Sequence, residues 1–319
     1  MRAVYYEDFG PPSVLRAGER PDLPLRTGWV RVRVEAAALN PKDILVRKGK
    51  MRWLVRGPFP RIPGYDIAGR LIDPVPGLPA DTPVFGMIQT HAGGGCAELA
   101  SLRPDWIAGS PSTLSAQEAA GLPLAGLTAL QALRDELGVE TGDRLLVNGA
   151  SGGVGTLAVQ VGKALGAEVI GVCSGRNAEI VRELGADRII DYTAERVEDE
   201  RDLDHIFDVF GSLPWARARP LLGRQGRYCT AIPRPFAMAR GALRRLQVHR
   251  AALVVVRSRR RDLEQLARWV DEGKLRPVVD QVVRWTHSER GHARLETKRA
   301  RGKVIVDFSP CGQTKGVDG

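Results

Sequence analysis

The first third of the chain shows the short alternating patterns of β-strands. In WVRVRVEAAAL, residues 29–39, three valines alternate with two arginines, a period of two that is typical of a half-buried strand. Prolines and glycines then interrupt residues 57–85 so often that no helix of ordinary length fits there. This part of the chain is therefore predicted to be β-rich.

In the middle of the chain, strand-like and helix-like segments alternate. Helical periodicity is found in residues 155–167, 177–186 and 261–275. Six apolar segments predict strands, at 144–149, 168–173, 188–191, 205–210, 227–232 and 252–256. Strands that alternate with helices in this way predict an α/β fold with a doubly wound, six-stranded parallel sheet.

The two kinds of pattern also suggest a division into domains. Ser115 and Glu118 have the spacing of a capping box, so a helix is predicted to start after the first β-rich part. Short alternating segments return near the end of the chain. We therefore expect one catalytic domain formed by residues 1–118 and 270–319, with a nucleotide-binding domain, residues 119–269, inserted between them.

The sequence LLVNGASGGVGTLAVQ places glycines 149, 152 and 155 after an apolar strand and at the start of a predicted helix. Such glycines permit a tight turn and a close approach of the backbone to a pyrophosphate, while the helix N-terminus offers unpaired N–H groups. The alternative is a glycine turn that only packs helix on strand. We predict a dinucleotide site at the turn residues Ser151, Gly152, Gly153, Val154 and Gly155.

The end of the second predicted strand indicates which dinucleotide binds. An NAD site has an acidic residue about 20 residues after the glycine turn, where it holds the ribose 2′-hydroxyl. Residues 171–178, GVCSGRNA, contain no acid and have Ser174 and Arg176 instead. Arginine suits a 2′-phosphate by its charge and its planar, bidentate geometry. NADPH is therefore the predicted cofactor; the alternative is that Arg176 is only a solvated loop residue.

The net charge of +10 raises the question of a nucleic-acid or membrane-surface role. Arginines are spread along the whole chain, and only residues 240–250 and 257–262 form basic patches. Aromatic residues make up 6% of the chain, which leaves few stacking platforms for single-stranded nucleic acid. Nucleic acid is therefore not expected as the primary partner.

Targeting signals are not evident in the sequence. No run of about 18 apolar residues is present, so no transmembrane helix is predicted. The first residues, MRAVYYEDFG, carry acids where a signal peptide has an apolar stretch. We expect a cytoplasmic protein without a membrane partner.

The cysteines do not suggest a metal site. Cys96, Cys173, Cys229 and Cys311 lie far apart and form no CxxC pair. His91 precedes Cys96 closely, but no third or fourth ligand is near them in sequence, so a glycine loop with incidental polar residues is favoured. No bound metal is predicted.

Eight segments, in this order, resemble the medium-chain dehydrogenase/reductases, in particular their zinc-independent quinone oxidoreductase (zeta-crystallin-like) branch: AAALNPKDILVRKG, PGYDIAG, PLAGLTALQAL, NGASGGVG, SGRN, LGADRIIDY, EGKLRPVVD and RGKVIV. The resemblance covers about residues 1–308. It implies a GroES-like, β-rich catalytic domain wrapped around a Rossmann domain, with NADPH and substrate in the cleft. It also implies Tyr192 beside the 2′-phosphate, Asn40, Leu127 and Thr128 near the nicotinamide, and a homodimer formed by pairing the last Rossmann strand.

The resemblance bears on the stretch RIPGYDIAG, residues 61–69. Zinc-dependent relatives have Gly-His-Glu where this chain has Gly64, Tyr65 and Asp66, and they have a catalytic Cys at a position that falls in LNPKD. A tyrosine and one carboxylate do not replace a Cys/His zinc pair. Zinc-dependent alcohol oxidation is therefore not expected.

Without zinc, the resemblance implies hydride transfer from NADPH to a quinone or an α,β-unsaturated carbonyl compound (enone or enoyl). Many relatives have a tyrosine shortly after the Asn-x-x-Asp segment, and this chain has none there. Water or Tyr65 is the candidate proton donor, and the alternative for Tyr65 is a pocket wall bonded to Asp66 or backbone. Asn40 is predicted to contact the oxyanion or the nicotinamide, whereas Asp43 and Asp66 have the alternative role of fixing loops.

Two other functions stay open from the sequence. One is a cofactor-binding protein whose basic surface binds RNA or an anionic surface, which the missing tyrosine permits. The other is a redox-neutral isomerase or cyclase on the same scaffold. The segment 234–250 mixes apolar and basic residues, which favours an acidic or phenolic substrate unless the segment is an ordinary solvated helix face.

Overall fold

The computed structural model describes residues 1–22, 24, 26–55, 57–90, 93–232 and 250–310. They form two compact units. The first contains described residues of Met1–Leu124, Ser258–Asp271 and the chain from Val279 onward, and the second contains those of Ala125–Arg257 and Glu272–Val278. Residues 119–124 and 258–269, which we expected in the inserted domain, belong to the first unit, and residues 272–278, which we expected in the catalytic domain, belong to the second.

Strands and helices follow one another irregularly in the first unit, whereas helices Gly153–Ala164, Ala178–Glu183 and Trp215–Ala218 each lie between two strands of the second. In chain order the strands are β1 (Arg2–Tyr5), β2 (Arg16–Glu19), β3 (Val30–Leu39), β4 (Asp66–Leu71), β5 (Pro83–Met87), β6 (Leu99–Leu102), β7 (Ile107–Gly109), β8 (Arg144–Asn148), β9 (Glu168–Cys173), β10 (Arg188–Asp191), β11 (Leu203–Asp208), β12 (Leu222–Thr230), β13 (Ala251–Leu253), β14 (Val279–Arg284) and β15 (Lys303–Asp307). The α-helices are α1 (Pro41–Arg47), α2 (Ala116–Ala120), α3 (Pro123–Leu130), α4 (Gly153–Ala164), α5 (Ala178–Glu183), α6 (Trp215–Ala218), α7 (Arg260–Asp271) and α8 (Ser288–Glu296), and a π-helix, Gln131–Leu137, follows α3. Short 3₁₀ turns lie at Pro12–Val14, Pro104–Trp106, Gly175–Asn177, Val197–Asp199, Arg219–Leu221 and Trp285–His287.

The first unit is built on a mixed sheet. Six strands lie in the order β14-β15-β3-β4-β5-β7, and β6 pairs with β3 as a seventh. All of these pairs are antiparallel except β14 with β15. β1 and β2 form a separate antiparallel pair. The β-rich architecture predicted for the outer parts of the chain is confirmed.

The strand β3 shows how the alternating pattern builds this unit. Val30, Val32 and Val34 are buried in the core of the sheet, whereas Arg33 between them is exposed. From Ala36 to Leu39 every residue is buried, so the second half of the strand has protein on both faces. The end of β3 therefore places the residues that follow it, beginning with Asn40, in the interior of the unit.

The second unit contains the predicted doubly wound sheet. Its six strands are all parallel and lie in the order β10-β9-β8-β11-β12-β13. Numbered from the first strand of the unit, this is the order 3-2-1-4-5-6 of a Rossmann sheet, whose ligands bind at the carboxyl ends of the strands. The fold class predicted from the sequence is confirmed.

Three predicted strands of this sheet, β11, β12 and β13, have clearly different bounds in the structure; β12 runs from Leu222 to Thr230, against the predicted 227–232. β11 ends at Asp208 although the apolar pattern continues to Phe210, whose side chain is 57% exposed. β13 contains only Ala251–Leu253, because its partner β12 ends at Thr230, the residue paired with Leu253. An apolar run therefore extends past each strand's last pairing partner.

The predicted capping box is confirmed at the start of α2. The hydroxyl oxygen of Ser115 accepts a hydrogen bond from the N–H of Glu118 at 3.3 Å, and the Glu118 carboxylate accepts one from the N–H of Ser115 at 2.9 Å. These reciprocal bonds satisfy two N–H groups at the helix start.

Several sequence features fall outside the described residues: His91, Cys311 and all of the basic segment 234–250 except Arg250. The expectations attached to them stay predictions. Within the described part of the chain, no helix is long and apolar enough to cross a membrane.

Candidate active site and nucleotide-binding turn

The glycine turn lies at the carboxyl end of β8, the central strand of the parallel sheet. Gly149 adopts φ +90°, a left-handed conformation that favours glycine, and Gly152 is the N-cap of α4. A Cβ atom on Gly155 would lie 2.0 Å from the carbonyl oxygen of Gly149, so only glycine allows this close packing. The N–H groups in the first turn of α4 are those that a helix leaves unpaired, which suits them to an anion such as a pyrophosphate.

Ser151 in this turn is linked to the end of the neighbouring strand β9. The amide nitrogen Nδ2 of Asn177 donates a hydrogen bond to the Ser151 hydroxyl at 3.0 Å. Asn177 is 7% exposed, and its Oδ1 atom is buried without a hydrogen-bond partner among the described residues. A buried acceptor left open beside the glycine turn fits a bound dinucleotide that brings a donor. Asn177 was not predicted as a site residue, because an asparagine in SGRN is equally typical of a turn.

The three residues predicted to hold a 2′-phosphate lie at the ends of two adjacent strands. Ser174 follows β9 and is half-buried, while Arg176 in the next turn is exposed. Tyr192 follows β10, is 62% exposed, and donates its backbone N–H to the carbonyl of Cys173 at 3.1 Å. The structure thus brings the Tyr192 backbone next to the strand end that leads into Ser174 and Arg176.

An acidic side chain that the sequence did not single out lies near these residues. A Cβ atom on Gly175 would lie 2.3 Å from Oδ2 of Asp191, the last residue of β10. The Asp191 carboxylate accepts hydrogen bonds from the hydroxyl and the N–H of Thr193, at 2.7 and 2.9 Å, and these bonds together with the Gly175 N–H lower its pKa. This carboxylate is therefore engaged in fixing the loop that carries Tyr192.

The first unit carries a buried polar cluster at the ends of three neighbouring strands. Asn40 follows β3, Asp66 begins β4 and Lys303 begins β15, and the pairing of these strands brings the three side chains together. The ammonium of Lys303 donates to Oδ1 of Asn40 at 2.7 Å and to Oδ2 of Asp66 at 3.0 Å. None of the three residues is more than 4% exposed.

In this cluster, the oxygen and the nitrogen of the Asn40 side-chain amide are both hydrogen-bonded. Its Oδ1 accepts from Lys303, and its Nδ2 donates to Asp66 at 3.0 Å and to the carbonyl of Ala38 at 3.3 Å. Asp66 in turn accepts a hydrogen bond from the N–H of Leu124 at 2.7 Å. The amide is thus held in one orientation by its neighbours. A substrate in contact with Asn40 would have to share the amide atoms with these hydrogen-bond partners.

Asp43 fixes the loop in front of Tyr65. Its carboxylate accepts hydrogen bonds from the N–H of Asn40 at 2.8 Å and from the N–H of Gly64 at 2.7 Å. Burial raises the pKa of Asp43 to about 6, and these two hydrogen bonds moderate the rise. The structure therefore gives Asp43 the loop-fixing contacts that were the alternative to acid/base work.

Tyr65 is buried with a lysine over its ring. The side chain is 1% exposed, and the ammonium of Lys42 lies 3.9 Å from the centre of the ring. Burial raises the pKa of the Tyr65 phenol, and the neighbouring Asp43 raises it further, so the phenol stays neutral. Burial lowers the pKa of Lys42, which Asp43 and Asp66 partly offset. Lys42 was not predicted as a site residue, because one lysine at a helix start is usually solvated.

The described residues of this region do not form a metal site. In the described ranges, no group of three or more His, Cys, Asp or Glu side chains is placed to hold a metal ion. The Cys96 thiol is buried near Asp43 and Asp66, and burial raises its pKa, which disfavours the thiolate that binds metals.

Two family profiles match the chain. The profile described as "Alcohol dehydrogenase GroES-like domain" matches residues 26–112, within the first unit. The profile described as "Zinc-binding dehydrogenase" matches residues 184–306.

Similar proteins cover nearly the whole chain. The "Chloroplast envelope quinone oxidoreductase homolog" of Arabidopsis thaliana is 32% identical over 323 residues, which are 96% of this chain and 98% of that protein. The "NADPH-dependent alkenal/one oxidoreductase, chloroplastic" of the same plant is 33% identical over 322 residues, 96% of this chain and 79% of that protein. The solved structure of the quinone oxidoreductase from Coxiella burnetii is 30% identical, with a TM-score of 0.85 over 96% of this chain and 99% of that one. The chain therefore belongs to the medium-chain dehydrogenase/reductase family, among the quinone oxidoreductase homologues, and is an oxidoreductase of the pyridine-nucleotide-dependent type.

Proposed function

We propose that the protein is a zinc-independent reductase that uses NADPH to transfer a hydride to a quinone or an α,β-unsaturated carbonyl compound. The observation that carries this proposal is the nucleotide site, where the strand after the glycine turn is followed by Ser174 and an exposed Arg176, and where residues 171–178 contain no acid. The Tyr65 position offers a phenol, not an imidazole, so the chain lacks the donor type that zinc requires there.

Each predicted cofactor-binding residue has a role in this proposal. The turn residues Ser151–Gly155 bind the pyrophosphate through backbone N–H groups and the Ser151 hydroxyl. Ser174, Arg176 and Tyr192 bind the 2′-phosphate, and Thr128 lies near the nicotinamide. When bound, the cofactor supplies the hydride, while the protein orients the reactants and excludes water.

In the first unit, Asn40 and Tyr65 are the proposed catalytic residues. Asn40 is held in place by Lys303 and Asp66. Because the Tyr65 phenol stays neutral, it can donate a hydrogen bond to an oxygen on which negative charge develops without losing its proton.

Two further parts of the proposal concern assembly and location. β13 is the outer strand of the six-stranded sheet, and Val255 just after it is 68% exposed, an apolar edge suited to pairing with a second copy. We therefore propose a homodimer. A cytoplasmic location stays a prediction, because the names of both plant relatives place those proteins in the chloroplast.

The function is tested by following NADPH oxidation with a panel of quinones, enones and enoyl thioesters, with NADH in parallel. We expect oxidation of NADPH by at least one class of acceptor and a lower kcat/KM with NADH. If no acceptor causes NADPH oxidation, the reductase proposal is wrong. If NADH binds more tightly than NADPH, the assignment of the 2′-phosphate site is wrong.

Replacement of Arg176 by Gln is expected to weaken NADPH binding about 10- to 100-fold, because a hydrogen bond to a charged group contributes about 1.5–3 kcal/mol. NADH binding should change little. Both affinities can be measured by the change in nicotinamide fluorescence on titration. Arg224→Gln is the matched control, since Arg224 is exposed near the amino end of β12, the edge of the sheet opposite the proposed site. Equal weakening of NADPH and NADH binding would argue against a 2′-phosphate contact.

Replacement of Tyr65 by Phe is expected to lower kcat by about 100-fold, the effect of removing one hydrogen-bond donor to a developing oxyanion. The ring and its contact with Lys42 are kept, so NADPH affinity should stay the same. Steady-state kinetics and the NADPH titration separate these two effects. An unchanged kcat would leave Tyr65 as a wall of the pocket.

A further inference from the structure

Lys42 differs from the other lysines of its segment. It lies in the first turn of α1 and is half-buried, whereas Lys48 and Lys50 are exposed. Its ammonium lies over the face of the Tyr65 ring, 3.9 Å from the centre. A cation over an aromatic face is attracted by the ring without being neutralised by it.

The charged groups around Lys42 do not neutralise it either. The two carboxylates that act on it are Asp43 on its own helix and Asp66 on β4. Asp43 accepts from the N–H groups of Asn40 and Gly64, and Asp66 is paired with Lys303. Within the described ranges, Lys42 forms no ion pair with any carboxylate. The protons of the Lys42 ammonium are therefore not engaged in an ion pair with these residues. Burial lowers the pKa of Lys42 and raises the pKa of Tyr65.

These observations distinguish the roles of Lys42 and Tyr65. Loss of a proton from Tyr65 would leave a buried phenolate beside Asp43, which is unfavourable. Loss of a proton from Lys42 would leave a neutral amine in a partly desolvated position, which burial favours. Between the two groups, the ammonium is the better acid and the phenol is the better neutral hydrogen-bond donor.

We propose that Lys42 is the proton donor of the reduction, with its ammonium positioned by the ring of Tyr65. This inference rests on the proposed function and names the residue that completes it. The β-carbon of an enone gains a hydride from the reduced nicotinamide, which becomes oxidised, and the acceptor becomes an enolate. One N–H bond of Lys42 then breaks and a C–H bond forms at the α-carbon. The neutral amine takes a proton from water before the next turnover, so no other reactant is needed.

The test compares Lys42→Met and Lys42→Arg with wild type, using an enone as acceptor and Lys50→Met as the matched control. Arginine keeps a cation over the ring but does not give up a proton near neutral pH. Both Lys42 variants are expected to lose at least about 100-fold in kcat, the typical contribution of a positioned acid. The control should keep the wild-type kcat. A role of Lys42 in packing alone predicts instead that Lys42→Arg is active, and this result would overturn the proposal.

Two further readouts do not depend on the size of kcat. The kcat of wild type should fall as pH rises through the pKa of Lys42, since only the ammonium donates, and Lys42→Arg should lack this basic limb. Without any substrate, the lysines can be methylated with ¹³C-formaldehyde and titrated by NMR, with the Lys42 signal assigned by its loss in Lys42→Met. Its pKa should be lower than that of Lys50. An equal or higher pKa would overturn the proposal.

Failure of the inference and failure of the proposed function have different signatures. If wild type oxidises NADPH with an enone and Lys42→Met does so equally fast, the donor is another group and the reductase proposal stands. If wild type oxidises no NADPH with any acceptor, the reductase proposal and the donor role both fail. Circular dichroism of each variant shows whether it is folded, and Lys42→Arg provides the kinetic result if Lys42→Met does not fold.

Discussion

Replacement of Lys303 by Met is expected to lower the free energy of unfolding by about 3–5 kcal/mol, the usual cost of removing one partner of a buried ion pair. Lys303 is 4% exposed and donates to both Asp66 and Asn40. Without it, the fully buried carboxylate of Asp66 loses the ion-pair partner that it has among the described residues. The change can be measured by urea denaturation at neutral pH, followed by circular dichroism.

The appropriate control is the same substitution in an exposed ion pair. Lys163 and Asp187 lie 2.7 Å apart with side chains 36% and 42% exposed, so Lys163→Met should cost less than about 1 kcal/mol. A second control removes both buried charges. The double variant Lys303→Met/Asp66→Leu should recover much of the stability that Lys303→Met loses, since no buried charge is left unpaired. Equal stability of Lys303→Met and wild type would mean that Asp66 is not charged in the folded protein.

The sequence predicted the fold well because most of the sheet pattern is local. Strands β8, β9 and β10 lie within one residue of their predicted bounds. β8 and β9 in particular are almost entirely buried, and strands buried on both faces are continuous apolar runs. The errors occur in the other half of the sheet, at β11, β12 and β13. At β13, the apolar run 252–256 has the composition of a strand, but pairing ends at Leu253 because β12 supplies no partner beyond Thr230.

The candidate site was harder to predict because it depends on contacts between distant parts of the chain. Asn40 and Asp66 were recognised from the segments that contain them, but their connection through Lys303 spans 263 and 237 residues. It arises from the pairing of β15 with β3 and of β3 with β4, which no local pattern specifies. Lys42 became a candidate only when its burial and its position over Tyr65 were known.

His292 is another residue whose environment no local sequence pattern specifies. The second large effect, on the stability of the protein in acid, depends on this residue. The protein is expected to lose stability as the pH falls below about 6.5, the pKa of an unperturbed histidine. His292 on α8 is 0% exposed, and neither ring nitrogen has a hydrogen-bond partner among the described residues. Burial, together with the nearby positive charge of Arg47, lowers its pKa to about 3. Arg47 itself forms an ion pair with Glu296, one turn after His292 on the same helix.

The direction of the pH effect follows from which state binds the proton. Between about pH 6.5 and 3, the unfolded chain protonates this histidine and the folded protein does not, so acid favours unfolding. Each pH unit in this window costs about 1.4 kcal/mol, or about 2–3 kcal/mol by pH 4.5. Other groups titrate in the same range, Asp43 among them with the opposite sign, because its pKa is raised to about 6. The quantity to measure is therefore the difference in unfolding free energy between wild type and a His292 variant.

His292→Leu removes the titrating group and keeps an apolar side chain of similar volume at the buried position. Urea unfolding of wild type and variant at pH 7 and pH 4.5 should show that the variant loses less stability on acidification, by about 2–3 kcal/mol. The exposed His287, in the turn before α8, provides the matched control: His287→Leu should follow the wild-type pH dependence. If His292→Leu and wild type lose equal stability between the two pH values, His292 binds a proton in the folded state. In that case Arg47 and its ion pair with Glu296 would have to accommodate a second buried positive charge at the end of α1.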